Sequence, residues 1–308
     1  MSRVLLWWQA IRPFAFTVSL IPPLLGGIIA MIDNPGMKPN IFRLALTAIG
    51  CMTAHAGANL LSDYYDFKAR VDRVGAFGSS GLLVSGAMAP SGILRGAWTA
   101  FFTAALIGAY LVCVTPGRAF LVGLVLMGGG LAVFYTAAPV ALKYRALGDM
   151  AVFLAFGPAM VLGAYYVQAH RFSWVPVLYA LPIALLVDAV LHSNNLRDME
   201  NDRAVNIKTV PILIGLSRAK AMYCGLVFGA YAVILMLIGL AGLTPFSLLV
   251  FLSLPLAMKL TKGVMRKESI PAERFAAIDA ATAQLHLFFG VLMILSLAIQ
   301  FGTNGMMG

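Results

Sequence analysis

The chain has 308 residues, of which 61% are hydrophobic and only 11% are charged, and its mean hydropathy is +0.89. This composition excludes a soluble globular domain and predicts a polytopic membrane protein. In a soluble protein, the net charge of +10 and the pI of about 9.7 would suggest nucleic-acid binding. In this chain, the positions of the charged residues favour membrane topology as the reason for the high net charge and pI.

Nine apolar stretches are long enough to cross about 30 Å of hydrocarbon as helices. They cover roughly residues 15–32, 41–61, 96–114, 119–138, 149–168, 174–192, 219–241, 244–260 and 283–301. Arg3, Arg12 and Pro13 precede the first stretch, which does not fit a cleavable signal peptide, so we expect the N-terminus to be retained. The prediction is an all-α, nine-helix bundle that forms one domain over residues 1–308.

The positive residues predict the orientation of this bundle. The N-terminal tail and the loops after the second, fourth, sixth and eighth stretches hold 18 of the 22 Lys and Arg residues. The remaining four are Lys38, Arg43, Arg118 and Arg171. The positive-inside rule therefore places the N-terminus in the cytoplasm and the C-terminus outside.

The acidic residues gather at the predicted cytoplasmic ends of the helices. Of the 12, only Asp33 lies on the other side and only Asp188 lies within a span. Two segments are alike, "NLLSDYYDFKARVD" (59–72) and "NNLRDMENDRAVNIKT" (194–209), and each straddles the end of a helix. Their offset of four helices suggests an internal duplication.

Both segments present polar stripes if their helices continue through them. On the second helix the residues that share one face are His55, Asn59, Asp63 and Asp66. On the sixth helix the stripe contains Asp188, His192, Asn195, Asp198 and Asp202, with Arg197 on the opposite side. So many carboxylates at one depth would repel each other without cations. Carboxylate and amide oxygens favour Mg²⁺, which commonly shares its shell with phosphate oxygens, so the pattern predicts a phosphorylated ligand.

Basic and aromatic residues near these segments suit the same ligand. The bases that would neutralise a departing diphosphate are Arg12, Lys68, Arg70, Lys143, Arg197, Arg203 and Lys208. The alternative for each of these residues is that its charge is solvated in a loop and does not bind the diphosphate. The aromatic candidates are Tyr64, Tyr65, Tyr135 and Tyr144, for which a membrane-interface belt is the default and stabilisation of a cation the alternative.

Asp188 is the deepest acid of the predicted bundle. A charged side chain at the bilayer centre costs at least ~2.5 kcal/mol, so we expect Asp188 to face the bundle interior. His192 follows one helical turn later, and we expect the two side chains to form a hydrogen bond. This pair is either structural or able to orient or deprotonate an acceptor hydroxyl.

With these residues identified, the chain resembles the UbiA superfamily of intramembrane prenyltransferases, which have nine helices and two Asp-rich motifs. The stretches "YYDFKARVD", "YTAAPVALKYRALGDMAVFLAFGPAMVLGAYYVQ" and "LHSNNLRDMENDR" resemble its menaquinone branch, which includes 1,4-dihydroxy-2-naphthoate prenyltransferases. The resemblance implies that the residues binding Mg²⁺ and diphosphate are Asn59, Asp63, Asp66, Asp72, Asn194, Asn195, Asp198 and Asp202. Lys143 matches the lysine of the family that contacts diphosphate. Ser62 and the segment "AVNIKT" depart from the usual pattern.

The resemblance implies Mg²⁺-dependent transfer of a polyprenyl group from polyprenyl diphosphate to 1,4-dihydroxy-2-naphthoate, in a bacterial inner membrane with the site facing the cytoplasm. The expected partners are the two substrates and the lipid bilayer, with no nucleic acid. Two alternatives remain open. One is a different aromatic acceptor such as 4-hydroxybenzoate; the other is a cation transporter with Asp188 as its relay, against which the single depth of the other acids argues. Donor chain length and oligomeric state are not determined by the sequence pattern.

Overall fold

The computed structural model describes residues 2–73, 78–269 and 275–307, so the predicted cytoplasmic acid Glu273 lies outside the described residues. Over these ranges the regular structure is helical apart from one isolated bridge between Arg145 and Lys208. The α-helices are α1 (Arg3–Ile11), α2 (Thr17–Asp33), α3 (Ile41–Lys68), α4 (Pro90–Val114), α5 (Arg118–Phe134), α6 (Gly148–Leu154), α7 (Met160–Ala169), α8 (Val175–Ala204), α9 (Val210–Ile214), α10 (Leu216–Leu240), α11 (Leu254–Met265) and α12 (Ile278–Met307). The prediction of an all-α protein is confirmed.

Eight helical segments among the described residues are long and apolar enough to cross a membrane. Six of them are provided by α2, α3, α4, α8, α10 and α12. The other two are composite: a π-helical turn, Ala155–Ala159, joins α6 to α7, and a 3₁₀ segment, Pro245–Ser253, leads into α11. Pro158 lies inside the π-helical turn, where the relaxed hydrogen bonding accommodates its missing N–H.

The predicted span 119–138 differs from the structure. The corresponding helix, α5, is apolar but has 17 residues and ends at Phe134. Pro139 disfavours a helical conformation at the residue before it, Ala138, so a helix that continues to residue 138, as hydropathy indicates, is unfavourable.

The helices that carry the two acidic segments are longer than their apolar parts. α3 is capped by Asn40, whose side chain accepts a hydrogen bond of 2.9 Å from the backbone N–H of Arg43, and the helix continues to Lys68. α8 continues to Ala204. The assumption that both acidic segments are helical is therefore confirmed up to these residues.

The principal core lies among α2, α7, α8, α10 and α12, and it includes the fully buried Ile21, Ile183, Tyr223 and Phe289. Gly26 faces the backbone of α7 so closely that any side chain there would collide with it. In contrast, α4 exposes large apolar side chains such as Phe102 and Leu106, as expected of a helix that faces lipid.

Candidate active site

A cavity of about 1010 Å³ runs between α2, α3, α4, α5, α7 and α8. Its polar end is lined by Arg12, Asn59, Ser62, Tyr135, Lys143, Asn194, Arg197 and Asp279. The rest, here called the apolar arm, is lined by aliphatic residues and glycines of α3, α4, α5 and α7, among them Leu111, Leu124, Gly128 and Val167. The cavity therefore offers a charged end to an anion and an apolar channel to a hydrocarbon chain.

The acidic end of α3 is held by cations from two other parts of the chain. Asp63, which is 1% exposed, forms an ion pair with Arg12 and accepts a hydrogen bond of 3.2 Å from the backbone N–H of Ser80. Asp66, which is 2% exposed, accepts from Lys143 Nζ at 2.6 Å and from the Tyr144 hydroxyl at 2.7 Å. Both carboxylates are thus buried with their charge compensated.

Arg12 reaches Asp63 because α1 ends in a left-handed residue. Arg12 has φ of 53°, which is uncommon for a residue other than glycine, and it lines the cavity directly after α1. Gln9 Nε2 donates to the Ser80 carbonyl at 2.8 Å, and Asn59 Nδ2 donates to the Ile11 carbonyl at 3.2 Å. These contacts fix α1 across the polar end of the cavity.

Lys143 lies in a short 3₁₀ turn, Leu142–Tyr144, between α5 and α6. Its backbone N–H donates to the Tyr135 carbonyl at 2.8 Å, and its Nζ also donates to Ser62 Oγ at 3.2 Å. Burial acts to lower the pKa of Lys143, but the Asp66 carboxylate outweighs it and raises that pKa above its usual value. Lys143 is therefore a permanent cation, and Ser62, a departure from the family pattern, helps to position it.

The acidic end of α8 is organised by Arg197. Its guanidinium donates to Asp198 through two hydrogen bonds of 2.9 and 2.8 Å and pairs with Asp279 of α12 at 2.8 Å. Asn194 Nδ2 donates to the same Asp279 carboxylate at 3.2 Å. Lys143 pairs with the acidic end of α3 and Arg197 with that of α8, and both cations line the cavity, so the two acidic segments lie at the same polar end.

The prediction that the stripe of α8 containing Asp188 and His192 faces the cavity is wrong, and Arg197, which was predicted on the opposite side of α8, lines it. The other residues of α8 that line the cavity are Val187, Val190, Leu191 and Asn194. Asp188 and His192 do not line it, and the His192 ring is buried against α6 and α10.

The predicted hydrogen bond between Asp188 and His192 is also wrong. His192 Nδ1 lies 3.3 Å from Asp149 Oδ1, and its Nε2 lies 2.9 Å from the Ala219 carbonyl oxygen. Because a carbonyl can only accept, Nε2 carries a hydrogen. Asp188 is 6% exposed, and its Oδ1 has no hydrogen-bond partner within the described part of the chain.

Within residues 2–73, 78–269 and 275–307, no three Asp, Glu, His or Cys side chains stand close enough together to hold a metal ion by themselves. Asp63, Asp66, Asp198 and Asp202 do not line the cavity themselves, but the first three are paired with cations that do. Mg²⁺ is usually bound by only one or two carboxylates together with phosphate oxygens and water, so these carboxylates fit an ion shared with a diphosphate. Burial and the Asp66 charge raise the pKa of the adjacent Asp72 to about 6.

Several predicted residues lie away from the cavity. Tyr64 packs edge-on against Tyr65, with ring centroids 5.4 Å apart, beside an apolar cluster around Leu60. Lys68 and Arg203 are exposed. Two further examples are Asn195, which is buried outside the cavity wall, and Lys208, whose side chain is exposed while its backbone bonds the Lys143 loop at Tyr144 and Ala146.

Sequence reasoning missed three contributors. Ser80 donates to Asp63 from the segment between α3 and α4, Asp149 contacts His192, and Asp279 bridges Asn194 and Arg197. The position of Asp279 in the first turn of an apolar helix, at the same membrane level as the other acids, was the available signal for it. No local pattern marks Ser80.

Comparisons with known proteins agree with this geometry. A model of the UbiA prenyltransferase family matches residues 19–281. The 1,4-dihydroxy-2-naphthoate octaprenyltransferase of Bacillus subtilis (strain 168) is 31% identical over 96% of this chain and 92% of its own length. The UbiA prenyltransferase domain-containing protein 1 of Homo sapiens is 31% identical over 94% of this chain and 82% of its own length.

Solved structures share the fold at lower sequence identity. A UbiA homolog from Archaeoglobus fulgidus bound to DMAPP and Mg²⁺ is 15% identical and superposes with a TM-score of 0.62, covering 94% of this chain and 99% of that one. The apo structure of a UbiA homolog from Aeropyrum pernix K1 is 15% identical with a TM-score of 0.66, covering 91% and 97%.

Proposed function

This chain belongs to the UbiA prenyltransferase family, and we propose that it transfers a polyprenyl group from polyprenyl diphosphate to 1,4-dihydroxy-2-naphthoate in menaquinone biosynthesis. The observation that carries the proposal is the cavity that joins a polar end containing Arg12, Lys143 and Arg197 to an apolar arm. Such a cavity suits a molecule with a diphosphate at one end and a hydrocarbon chain at the other.

The three cations would bind the diphosphate of the donor. Each is paired with a carboxylate, Arg12 with Asp63, Lys143 with Asp66 and Arg197 with Asp198, and each lines the cavity. Charge-assisted hydrogen bonds from these groups would stabilise the leaving diphosphate as the bond between C1 and oxygen breaks. The product of that step is an allyl cation.

Mg²⁺ is the proposed cofactor, with Asp63, Asp66, Asp198 and Asp202 as the residues that would hold it and Asp72 in support. When bound, the ion supplies positive charge to the leaving diphosphate. The donor chemistry described above supports this assignment, and so does the Archaeoglobus fulgidus homolog bound to DMAPP and Mg²⁺.

The apolar arm would hold the polyprenyl chain. Transfer of such a chain from water into an apolar environment stabilises it by ~0.8 kcal/mol for each buried CH₂. A dry cavity also protects an allyl cation from water. Tyr135 is partly buried and lines the cavity, and because desolvation raises the pKa of its phenol, it would stay protonated and present a neutral aromatic ring to the cation.

The acceptor ring would attack the cation through the carbon that bears the carboxylate, and loss of CO₂ would restore the quinol. The name of the Bacillus subtilis relative supports this acceptor. Asp188 and His192 remain candidates for an acid–base role, but any such role is indirect because neither lines the cavity. A cation-transport function is disfavoured by membership of a prenyltransferase family.

We further propose nine transmembrane helices, with α5 as the ninth, because 17 residues is the lower limit for a helix that spans the hydrocarbon. The N-terminus and the polar end of the cavity would then face the cytoplasm, in the cytoplasmic membrane. An internal duplication that relates residues 59–72 to 194–209 stays a prediction.

The test is mass spectrometry of the products after purified protein and Mg²⁺ are incubated with a polyprenyl diphosphate and a mixture of 1,4-dihydroxy-2-naphthoate and 4-hydroxybenzoate. The expected product is a prenylated naphthoquinol that is lost when EDTA is added. Prenylated hydroxybenzoate alone would keep the chemistry and contradict the acceptor. The absence of both products would contradict the proposed pair of acceptors.

A further inference from the structure

A second concave site lies on the outer surface of the bundle, between α10 and α11. This groove has a volume of about 330 Å³. Its wall includes Cys224 and Phe228 of α10 together with Met258, Lys262, Met265 and Arg266 of α11 and its C-terminal cap. None of these residues lines the large cavity, so the groove is separate from the proposed active site.

The chemistry of the groove changes along its length. Phe228 and Met258 are partly exposed apolar side chains within two membrane-spanning segments. Lys262 and Arg266 follow on α11, about one helical turn apart, and both are exposed at its C-terminal end. The groove thus has an apolar part within the membrane and a cationic end towards the interface.

The cationic end lies at the end of the bundle that carries the proposed active site. Just after α11, Lys267 Nζ donates to the Leu196 carbonyl of α8 at 2.6 Å, and Glu268 forms an ion pair with Lys220 of α10. Among the residues that the structure describes, Glu268 is the acid nearest to Arg266 in sequence, and it is already paired with Lys220. Lys262 and Arg266 themselves line the groove and are exposed.

We propose that this groove binds a phospholipid with an anionic headgroup. Lys262 and Arg266 would contact the headgroup phosphate, and the acyl chains would lie against Phe228 and Met258. Basic pockets between membrane helices are suited to such headgroups, because a cation at the interface and an apolar wall below it match both parts of the lipid. A soluble anion would use only the cationic end.

The proposal is tested by native mass spectrometry of the full chain in detergent, titrated with phosphatidylglycerol or with phosphatidylcholine of the same acyl chains. The wild-type protein is expected to retain phosphatidylglycerol preferentially. The double substitution Lys262→Gln/Arg266→Gln should weaken that binding by about fivefold for each basic residue removed. The matched control, Arg95→Gln/Arg218→Gln, removes two exposed basic residues outside the groove and should leave the binding unchanged.

A second variant tests the apolar part without changing the charge. Met258→Trp should fill the groove between the helices and reduce phosphatidylglycerol binding, with the thermal midpoint measured in parallel to confirm folding. Equal retention of the two lipids by the wild-type protein would overturn the proposal, as would undiminished binding in the Lys262/Arg266 variant. Displacement of the lipid by millimolar inorganic phosphate would show a site for free anions instead. None of these readouts depends on prenyl transfer.

Discussion

Lys143 Nζ lies 2.6 Å from Asp66 Oδ2, and this ion pair joins the loop after α5 to the end of α3. The Tyr144 hydroxyl donates to the other oxygen of the same carboxylate at 2.7 Å. Lys143 also lines the cavity, whereas Asp66 lies behind it. The carboxylate therefore holds the ammonium group at the polar end, where the diphosphate is proposed to bind.

Substitution of Lys143 by Gln should reduce kcat by roughly 10²–10³-fold, because one charged donor to the leaving group is lost. The fold should persist, since Asp66 keeps its hydrogen bonds from Ser62 and Tyr144. Turnover of a polyprenyl diphosphate and the thermal midpoint would be measured on the same preparation. Lys68→Gln is the matched control, because Lys68 belongs to the same acidic segment but is exposed and lies outside the cavity. An equal loss of turnover in both variants would contradict the placement of Lys143.

The ion pair between Arg12 and Asp63 should couple strongly in a double-mutant cycle. The Asp63 side chain is 2% exposed and that of Arg12 is 16% exposed, so Arg12→Gln or Asp63→Asn alone leaves a largely uncompensated partner, which costs up to about 3–5 kcal/mol when burial is complete. The double variant should lose less stability than the sum of the single variants. Reversible unfolding in mixed micelles measures these differences.

A pair at the other end of the bundle provides the control for that cycle. Arg171 and Asp33 are 3.0 Å apart with side chains 54% and 23% exposed. Exposed pairs contribute about 0–1 kcal/mol, so this second cycle should show little coupling. Similar coupling energies in the two cycles would mean that burial does not strengthen the interaction of Arg12 with Asp63.

The parts of the site that were predicted correctly depend on spacing within one helix. Asp63 and Asp66 share a face because α3 continues to Lys68, as the amphipathic pattern implied. Contacts between distant segments were not predictable in this way. Asn194 meets Asp279 across 85 residues, and Ser80 meets Asp63 through a loop, and neither contact leaves a periodic signal.

Helical spacing was also misleading for His192, because the packing of neighbouring helices decides which groups its ring contacts. Asp188 and His192 are four residues apart, but the His192 ring is engaged by Asp149 of α6 and by the Ala219 carbonyl of α10. The imidazole therefore satisfies both nitrogens through neighbouring helices. That packing sets the orientation of the α8 face that carries Asp188 and His192. A single sequence does not specify the packing.

The pKa of Asp72 gives a pH dependence of stability. Burial and the Asp66 charge raise this pKa from 3.8 to about 6, so the folded protein binds a proton more tightly than the unfolded chain does. Asp72 therefore lowers the free energy of unfolding as the pH rises from about 4 to about 6, with no further change above that. In Asp72→Asn the thermal midpoint should fall less over this range than in the wild-type protein. Parallel curves for the two proteins would contradict the shifted pKa.

Gly128 should control which donors fit the apolar arm. It lines the cavity, and a Cβ added there meets no atom within 4 Å, so a larger side chain would extend into the arm. Gly128→Leu should impair transfer from long polyprenyl diphosphates more than from DMAPP, as measured by kcat/KM for each donor. Gly123→Leu is the control, since Gly123 is equally open, lies on the same helix and does not line the cavity. Equal losses with both donors would argue against a chain in this arm.

Substitution of Asp188 should change the stability of the protein more than its turnover. Its Oδ1 is buried without a hydrogen-bond partner in the described part of the chain, and an unsatisfied buried polar group costs about 1–3 kcal/mol. Asp188→Leu, which removes the carboxyl and fills similar space, should therefore raise the thermal midpoint. Because Asp188 does not line the cavity, turnover of the isosteric Asp188→Asn should stay near that of the wild-type protein. A large loss of turnover in a folded Asp188→Asn variant would instead assign this carboxyl an acid–base role that acts through the cavity wall.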